Sequence, residues 1–211
     1  MMTLISRQLF STNSSIREIC LNFLQALLLE FSEDTKSHQF ALSNNLHNLV
    51  CIKMLDEDSQ VRSSALCVFK VLALDQRNLS FLLLLQIDGK QGPQMVVDIV
   101  EKMTNDEFSD VRKESFQMLK EWVEKDAIIW KSVLMKEQFF VDRLKEALHL
   151  RVSEEADWEV KQSIISFLSA LFKAKSPLFH AVEGHKFVQT FVSISLIFVL
   201  YLLDIYHLLL K

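Results

Sequence analysis

The chain has 211 residues, half of them hydrophobic, with only 3 glycines and 2 prolines, about 2% against the roughly 12% of an average soluble chain. Sandwiches, barrels and doubly wound sheets need these residues at tight turns, and phosphate-cradling loops need glycine where backbone approaches the anion. The composition therefore selects an all-α fold, and a net charge of −4 from 23 Lys and Arg against 27 Asp and Glu excludes a bulk electrostatic grip on nucleic acid.

In chain order, a helix end before Ser11 is followed by four helices of one design. A β-branched residue and a base recur at Ile16-Arg17, Val61-Arg62, Val111-Arg112 and Val160-Lys161, at intervals of 45, 50 and 49. Such an interval marks a stack of helical hairpins, whose units run to about 40–47 residues. Five and three residues before each β-branched residue stand Ser11 and Asn13, Asp56 and Asp58, Asp106 and Phe108, and Glu155 and Asp157. Most of these accept hydrogen bonds from the free N–H groups of a starting helix. Beyond the turn one apolar stripe is written four times, as in Phe23-Leu24, Val68-Phe69, Met118-Leu119 and Phe167-Leu168.

The first helices of the hairpins are expected at 42–55, 94–104 and 137–151. The run at 80–87, SFLLLLQI, is expected as a short extra buried helix, and DGKQGP at 88–93 as the one emphatic loop. The units fall around 11–30, 40–75, 94–124 and 137–173, within one solenoid domain over 1–175. Residues 186–211 form an apolar C-terminal helix. Its core, FVQTFVSISLIFVLYLL from Phe187, lies at the short edge of what spans a bilayer. A terminal packing helix is the preferred reading, and a membrane tail through 187–210 the alternative.

Cys20, Cys51 and Cys67 sit in apolar helical patterns without a C-x-x-C pair, as reduced thiols of an intracellular protein do. No P-loop, dinucleotide fingerprint, zinc-protease helix or nucleophile elbow is present, so no enzyme, cofactor or metal is expected. His47 and Cys51 have metal-compatible i, i+4 spacing but read as a core thiol beside a partly exposed His. Glu154 and Glu155 read as cap and dipole partners.

The segments LDEDSQVRSSALCVFKVLA, TNDEFSDVRKESFQMLKEW and EEADWEVKQSIISFLSALF resemble HEAT repeats. The resemblance implies a right-handed α-solenoid of about three to four hairpins. It also implies a ladder of hydrogen bonds and ion pairs between neighbouring repeats, here through Asp58, Arg62, Asp106, Arg112, Asp157 and Lys161, with Phe108 interrupting the acids. The closing EEADWEVKQS is similar to the HEAT-repeat family of BRCA-associated activators of the ATM kinase. That likeness implies a nuclear and cytoplasmic scaffold in DNA-damage signalling, with the ATM kinase or Integrator subunits as partners.

Function in a solenoid resides on the surface that its stacked second helices build. Positions two, six, nine and thirteen past each β-branched residue share one helix face. Lys70, Lys113, Gln117, Lys120, Gln162 and Lys173 are the candidate partner-binding residues there, a polar, locally basic strip suited to an acidic or helical peptide. The expected function is a non-enzymatic protein-interaction scaffold. The alternative is a tail-anchored membrane adaptor with a cytosolic repeat domain.

Overall fold

The computed structural model describes residues 2–30, 35–75, 77, 86–87, 90–132, 134–136, 138–184, 186 and 189. The chain is an α-solenoid of hairpins. Helices α1 (Met2–Gln8) and α2 (Ser14–Glu30) form the first, and α3 (Thr35–Ser43), α4 (Leu46–Lys53) and α5 (Ser59–Leu74) the second. Strands β1 (Gln86–Ile87) and β2 (Lys90–Gln91) lead into the third, α6 (Gly92–Thr104) and α7 (Ser109–Glu124). Helix α8 (Ile128–Ser132) and a 3₁₀ turn (Leu134–Lys136) precede the fourth, α9 (Gln138–Glu154) and α10 (Trp158–Lys173), which α11 (Pro177–Ala181) follows. The second helices stack in order, α2 on α5, α5 on α7 and α7 on α10, while α9 lies against α6 in the layer of first helices.

The stripe read from the sequence is the seam of this stack. Val61, Val68, Val111, Met118, Val160 and Phe167 are fully buried, each complete burial of such a side chain contributing about 1.5–3 kcal/mol. Aromatic pairs cross the seams: Phe69 meets Trp122 edge-on with ring centroids 5.9 Å apart, and Phe116 meets Phe167 at 6.3 Å.

Three features differ from the sequence-based expectation. The first helix of the second unit is not continuous, because Asn45 adopts φ 50° and splits α3 from α4, while the Asn44 amide donates to the Phe40 carbonyl at 2.7 Å. Asn tolerates that left-handed conformation better than other side chains. Gln86 and Ile87 pair antiparallel with Gln91 and Lys90 instead of closing a helix; residues 80–85 of that expected helix lie outside the described residues. Between the third and fourth units, Ile129, Trp130 and Leu134 of α8 and the 3₁₀ turn are buried, and Trp130 stands edge-on to both Phe140 and Phe167.

Scarce glycine is offset at the helix ends by other residues. Helix α7 closes with the Ala127 N–H donating back to the Trp122 carbonyl at 2.9 Å around Asp126 at φ 54°, and α10 closes alike around Lys175 at φ 50°. These are Schellman-type ends without the usual glycine. Gly184 is required for another reason, since a Cβ there would collide with the Phe179 ring and carbonyl. The apolar segment 187–210, expected as a packing helix or membrane tail, lies outside the described residues apart from Gln189. Among the described residues no helix is long and apolar enough to cross a membrane.

Candidate protein-binding surface

The turns between paired helices carry a repeated polar construction. Arg17, Arg62 and Arg112 each follow the β-branched residue that opens a second helix, and each is buried. Their Nη1 atoms donate to carbonyls of their own turn: Ser11 and Thr12, Asp56 and Glu57, Asp106 and Glu107. The rest of each guanidinium reaches the next unit. Arg17 Nη2 meets Asp56 at 2.6 Å, Arg62 meets both oxygens of Asp106 at 2.7 and 2.8 Å, and Arg112 meets both oxygens of Glu155 at 2.7 Å. Planar guanidinium suits this fork, which lysine cannot reproduce.

The acid row is therefore Asp56, Asp106 and Glu155, five residues before each β-branched position. Asp58 and Asp157, placed by the sequence reading among the ladder residues, do not receive the bases. They cap α5 and α10, accepting the N–H groups of Gln60 and Val61, and of Glu159 and Val160. The reason is geometric: an arginine anchored on its own turn carbonyls points at the start of the following turn, while the residue two further on is committed to its helix N–H groups. Glu155 is thus an ion-pair partner rather than a cap. Phe108 leaves its own helix uncapped but does not break the arginine row, and the Arg62 guanidinium lies 5.5 Å from its ring centroid. Lys161 stands half-buried in the base position of α10.

Ionisation follows this packing. Burial pushes the Asp56 and Glu155 carboxyls up, but hydrogen bonds from Arg17 and Lys53 to the first, and from Arg112 and the Asp157 N–H to the second, outweigh it and hold both below the ordinary range. The Ser14 hydroxyl and the helix N–H groups lower Asp58, and the Ser109 hydroxyl with its own N–H partners lowers Asp157.

Part of the strip proposed for partners is gathered by α7 and α10 into a groove of about 450 Å³ lined by Lys113, Gln117, Lys120, Glu121, Glu159, Gln162, Ser163 and Ser166. Lys173 is exposed further along α10, and Lys70 lies largely buried in the neighbouring α5–α7 seam. The strip is not basic. Lys70 pairs with Glu121 at 2.8 Å, Lys120 with Glu124 at 2.7 Å, and Lys113 with Glu159. The carboxylates come from helix positions that the lysine count alone does not weigh, and Glu121 and Glu159 enter only once α5, α7 and α10 are stacked.

The thiols are not activated. Burial pushes Cys51 up to about 12, and burial with the neighbouring Glu114 carboxylate pushes Cys67 up to about 12. His47 is buried beside Cys51 on α4 rather than partly exposed, and the described residues contain no group of three or more His, Cys, Asp or Glu placed to hold a metal ion.

A family model described as Integrator complex assembly factor BRAT1 matches residues 1–196, and the chain belongs to that family. No curated protein matches the sequence. Among solved structures, an engineered protein from the Northeast Structural Genomics Consortium is similar at 13% identity and TM-score 0.60, over 91% of this chain and 70% of its own. A second engineered protein from the same consortium is similar at 14% identity and TM-score 0.42, over 92% of this chain and 53% of its own. The first likeness is one of overall fold alone.

Proposed function

From membership of the Integrator complex assembly factor family we propose that this chain is a non-enzymatic scaffold that binds Integrator subunits along the α7–α10 groove. The observation carrying this reading is the groove itself, a polar channel between two second helices in which Lys113, Lys120 and Glu159 stand at the surface with the amides of Gln117 and Gln162. Because its lysines are matched by carboxylates, the groove favours a partner segment of mixed charge that exchanges these ion pairs for its own. Amide side chains, with two donors and an acceptor each, suit an extended or helical segment presenting backbone groups. Residence in nucleus and cytoplasm, and a link to the ATM kinase in DNA-damage signalling, belong to the same proposal and rest on the closing EEADWEVKQS segment.

The test is capture of purified Integrator subunits by the full chain and by a Lys113→Ala/Lys120→Ala/Lys173→Ala variant. These side chains lie at the surface, so the thermal midpoint should stay within a few degrees, as surface substitutions dictate. Retention should fall about tenfold or more, the loss expected when a few central contacts are truncated. Undiminished capture by the folded triple variant overturns the groove as the binding surface.

A further inference from the structure

The two seams that flank α7 share one register but carry different charges. Between α5 and α7 the Gln60 amide donates to Asp110 at 3.2 Å, the Cys67 thiol to Glu114 at 3.3 Å, and the Lys70 ammonium pairs with Glu121 at 2.8 Å. The donors stand one residue before, six past and nine past Val61, and the acids one before, three past and ten past Val111. Carried forward by one unit, the donor positions fall on Asp110, Gln117 and Lys120 of α7, and the acid positions on Glu159, Ser163 and Ala170 of α10.

Only the first acid survives, and Lys113 pairs with it. The other two are replaced by small side chains, Ser163 and Ala170, and Ser163 lines the groove of about 450 Å³ together with Ser166. Lys120 therefore keeps the base of the Lys70–Glu121 rung while α10 offers no carboxylate to it. In the α2–α5 seam base and acid are lost together, as Gln25 and Val71, so this unmatched rung belongs to the α7–α10 seam. Lys120 is held instead by Glu124 of its own helix at 2.7 Å, with both side chains partly exposed. An exposed pair at this spacing contributes little and exchanges at small cost.

We propose that the groove seats the carboxylate of an Asp or Glu from a bound peptide segment against Lys120, supplying from outside the acid that α10 lacks. The inference rests on the groove being the binding surface, as read above, and names the group recognised there: within a segment of mixed charge, it is the acid. The Lys70–Glu121 pair is the chain's own example of a carboxylate meeting a base at this register. The Gln117 and Gln162 amides and the Ser166 hydroxyl line the same groove and bring further donors for carboxylate oxygens. Glu121 and Glu159 line it as well, and their charges oppose a doubly charged phosphate more strongly than a single carboxylate.

The probe is a phage-displayed library of short random peptides, pre-cleared on a Lys120→Ala chain and then selected on the wild type, so that only binders dependent on Lys120 remain. The Lys120→Ala chain should melt with the wild type, since the substitution lies at a partly exposed helix position. The retained peptides should share an Asp or Glu at one position, and its replacement by Asn or Gln should weaken binding about tenfold, as the loss of a charge-assisted hydrogen bond does. Lys120→Arg should retain them, and Ser166→Glu, which brings a carboxylate into the groove from α10 itself, should release them. Peptides that depend on Lys120 yet show no preference for an acid overturn the proposal. So does a selection that yields no peptide dependent on Lys120, or tighter binding when phosphoserine replaces the acid. The Integrator reading has its own readout, because a retained acidic peptide should displace a captured Integrator subunit. Subunit capture that persists at saturating peptide removes Integrator from the groove and leaves the carboxylate seat standing.

Discussion

Arg112 and Glu155, 43 residues apart, meet in a two-point clamp in which Nε and Nη2 each donate to one carboxylate oxygen at 2.7 Å. The remaining Nη1 holds the Asp106 and Glu107 carbonyls of its own turn at 2.8 and 2.9 Å. One side chain thereby fixes a turn and ties it to the next unit, and both ends of the pair are buried. Removing the guanidinium leaves a buried carboxylate and two carbonyls without their donor. Arg112→Ala should cost about 3–5 kcal/mol in urea denaturation, whereas the apolar double replacement Arg112→Met/Glu155→Leu should recover most of the loss. A single variant as stable as the wild type would remove the ladder from any account of stability.

Acid should loosen the same row. Asp56 and Glu155 titrate below their unfolded values in the folded chain, and those unfolded values lie near about 3.9 and 4.3. In that window the unfolded state binds more protons, so stability rises with pH there. The contribution is complete above the unfolded values and is lost as pH falls through the folded ones. Chemical denaturation at a series of pH values should show this decline, and Asp56→Asn should flatten its share of it. A decline of unchanged steepness in the variant would assign the acid sensitivity elsewhere.

Phe108 occupies the capping position of α7 without a side-chain cap, where α5 and α10 have Asp58 and Asp157. Phe108→Asp should therefore stabilise the chain by about 0.5–2 kcal/mol, the usual worth of a cap, less about 0.5–1 kcal/mol for the lost contact between Arg62 and the ring. A raised melting midpoint is the expected reading, and a lowered one would give the Arg62–Phe108 contact the larger weight.

Gly184 sits where a methyl group would enter the Phe179 ring and approach its carbonyl at 2.9 Å. Gly184→Ala should displace α11 and destabilise by about 1–3 kcal/mol, the range of an overpacked site. Hydrogen exchange should localise the effect to 177–184, with protection of α5 and α7 unchanged. Uniform loss of protection across all units would mean that α11 is coupled to the whole stack.

Much of the architecture is legible along the chain because a helical repeat is a local object. The dipeptide series Ile16-Arg17, Val61-Arg62, Val111-Arg112 and Val160-Lys161 marks the starts of α2, α5, α7 and α10 to within a few residues, since each start depends on the capping and apolar residues beside it. Asp58 and Asp157 show where that legibility ends. Both are acids in the right turn, and sequence spacing does not separate an acid used by its own helix from one used by the neighbouring unit. Asp56 and Glu155 were visible in the same alignment, and the recurrence of an acid five residues before Val61, Val111 and Val160 is the signal that singles them out.

The polar strip is the converse case. Lys113, Gln117, Lys120 and Gln162 fall on a shared helix face by spacing alone, and the fold gathers them in one groove. Their charge balance is decided by Glu159 across the α7–α10 seam and, for Lys70, by Glu121 across the α5–α7 seam. By itself the sequence determined an all-helical repeat, its turn positions and the residues of its seams, because capping and helical periodicity act over a few residues. Only the tertiary structure decided which carboxylate meets each base, in the turns and along the polar strip alike. Those outcomes depend on how units about 45 residues apart are stacked, a distance over which local chemistry carries no information.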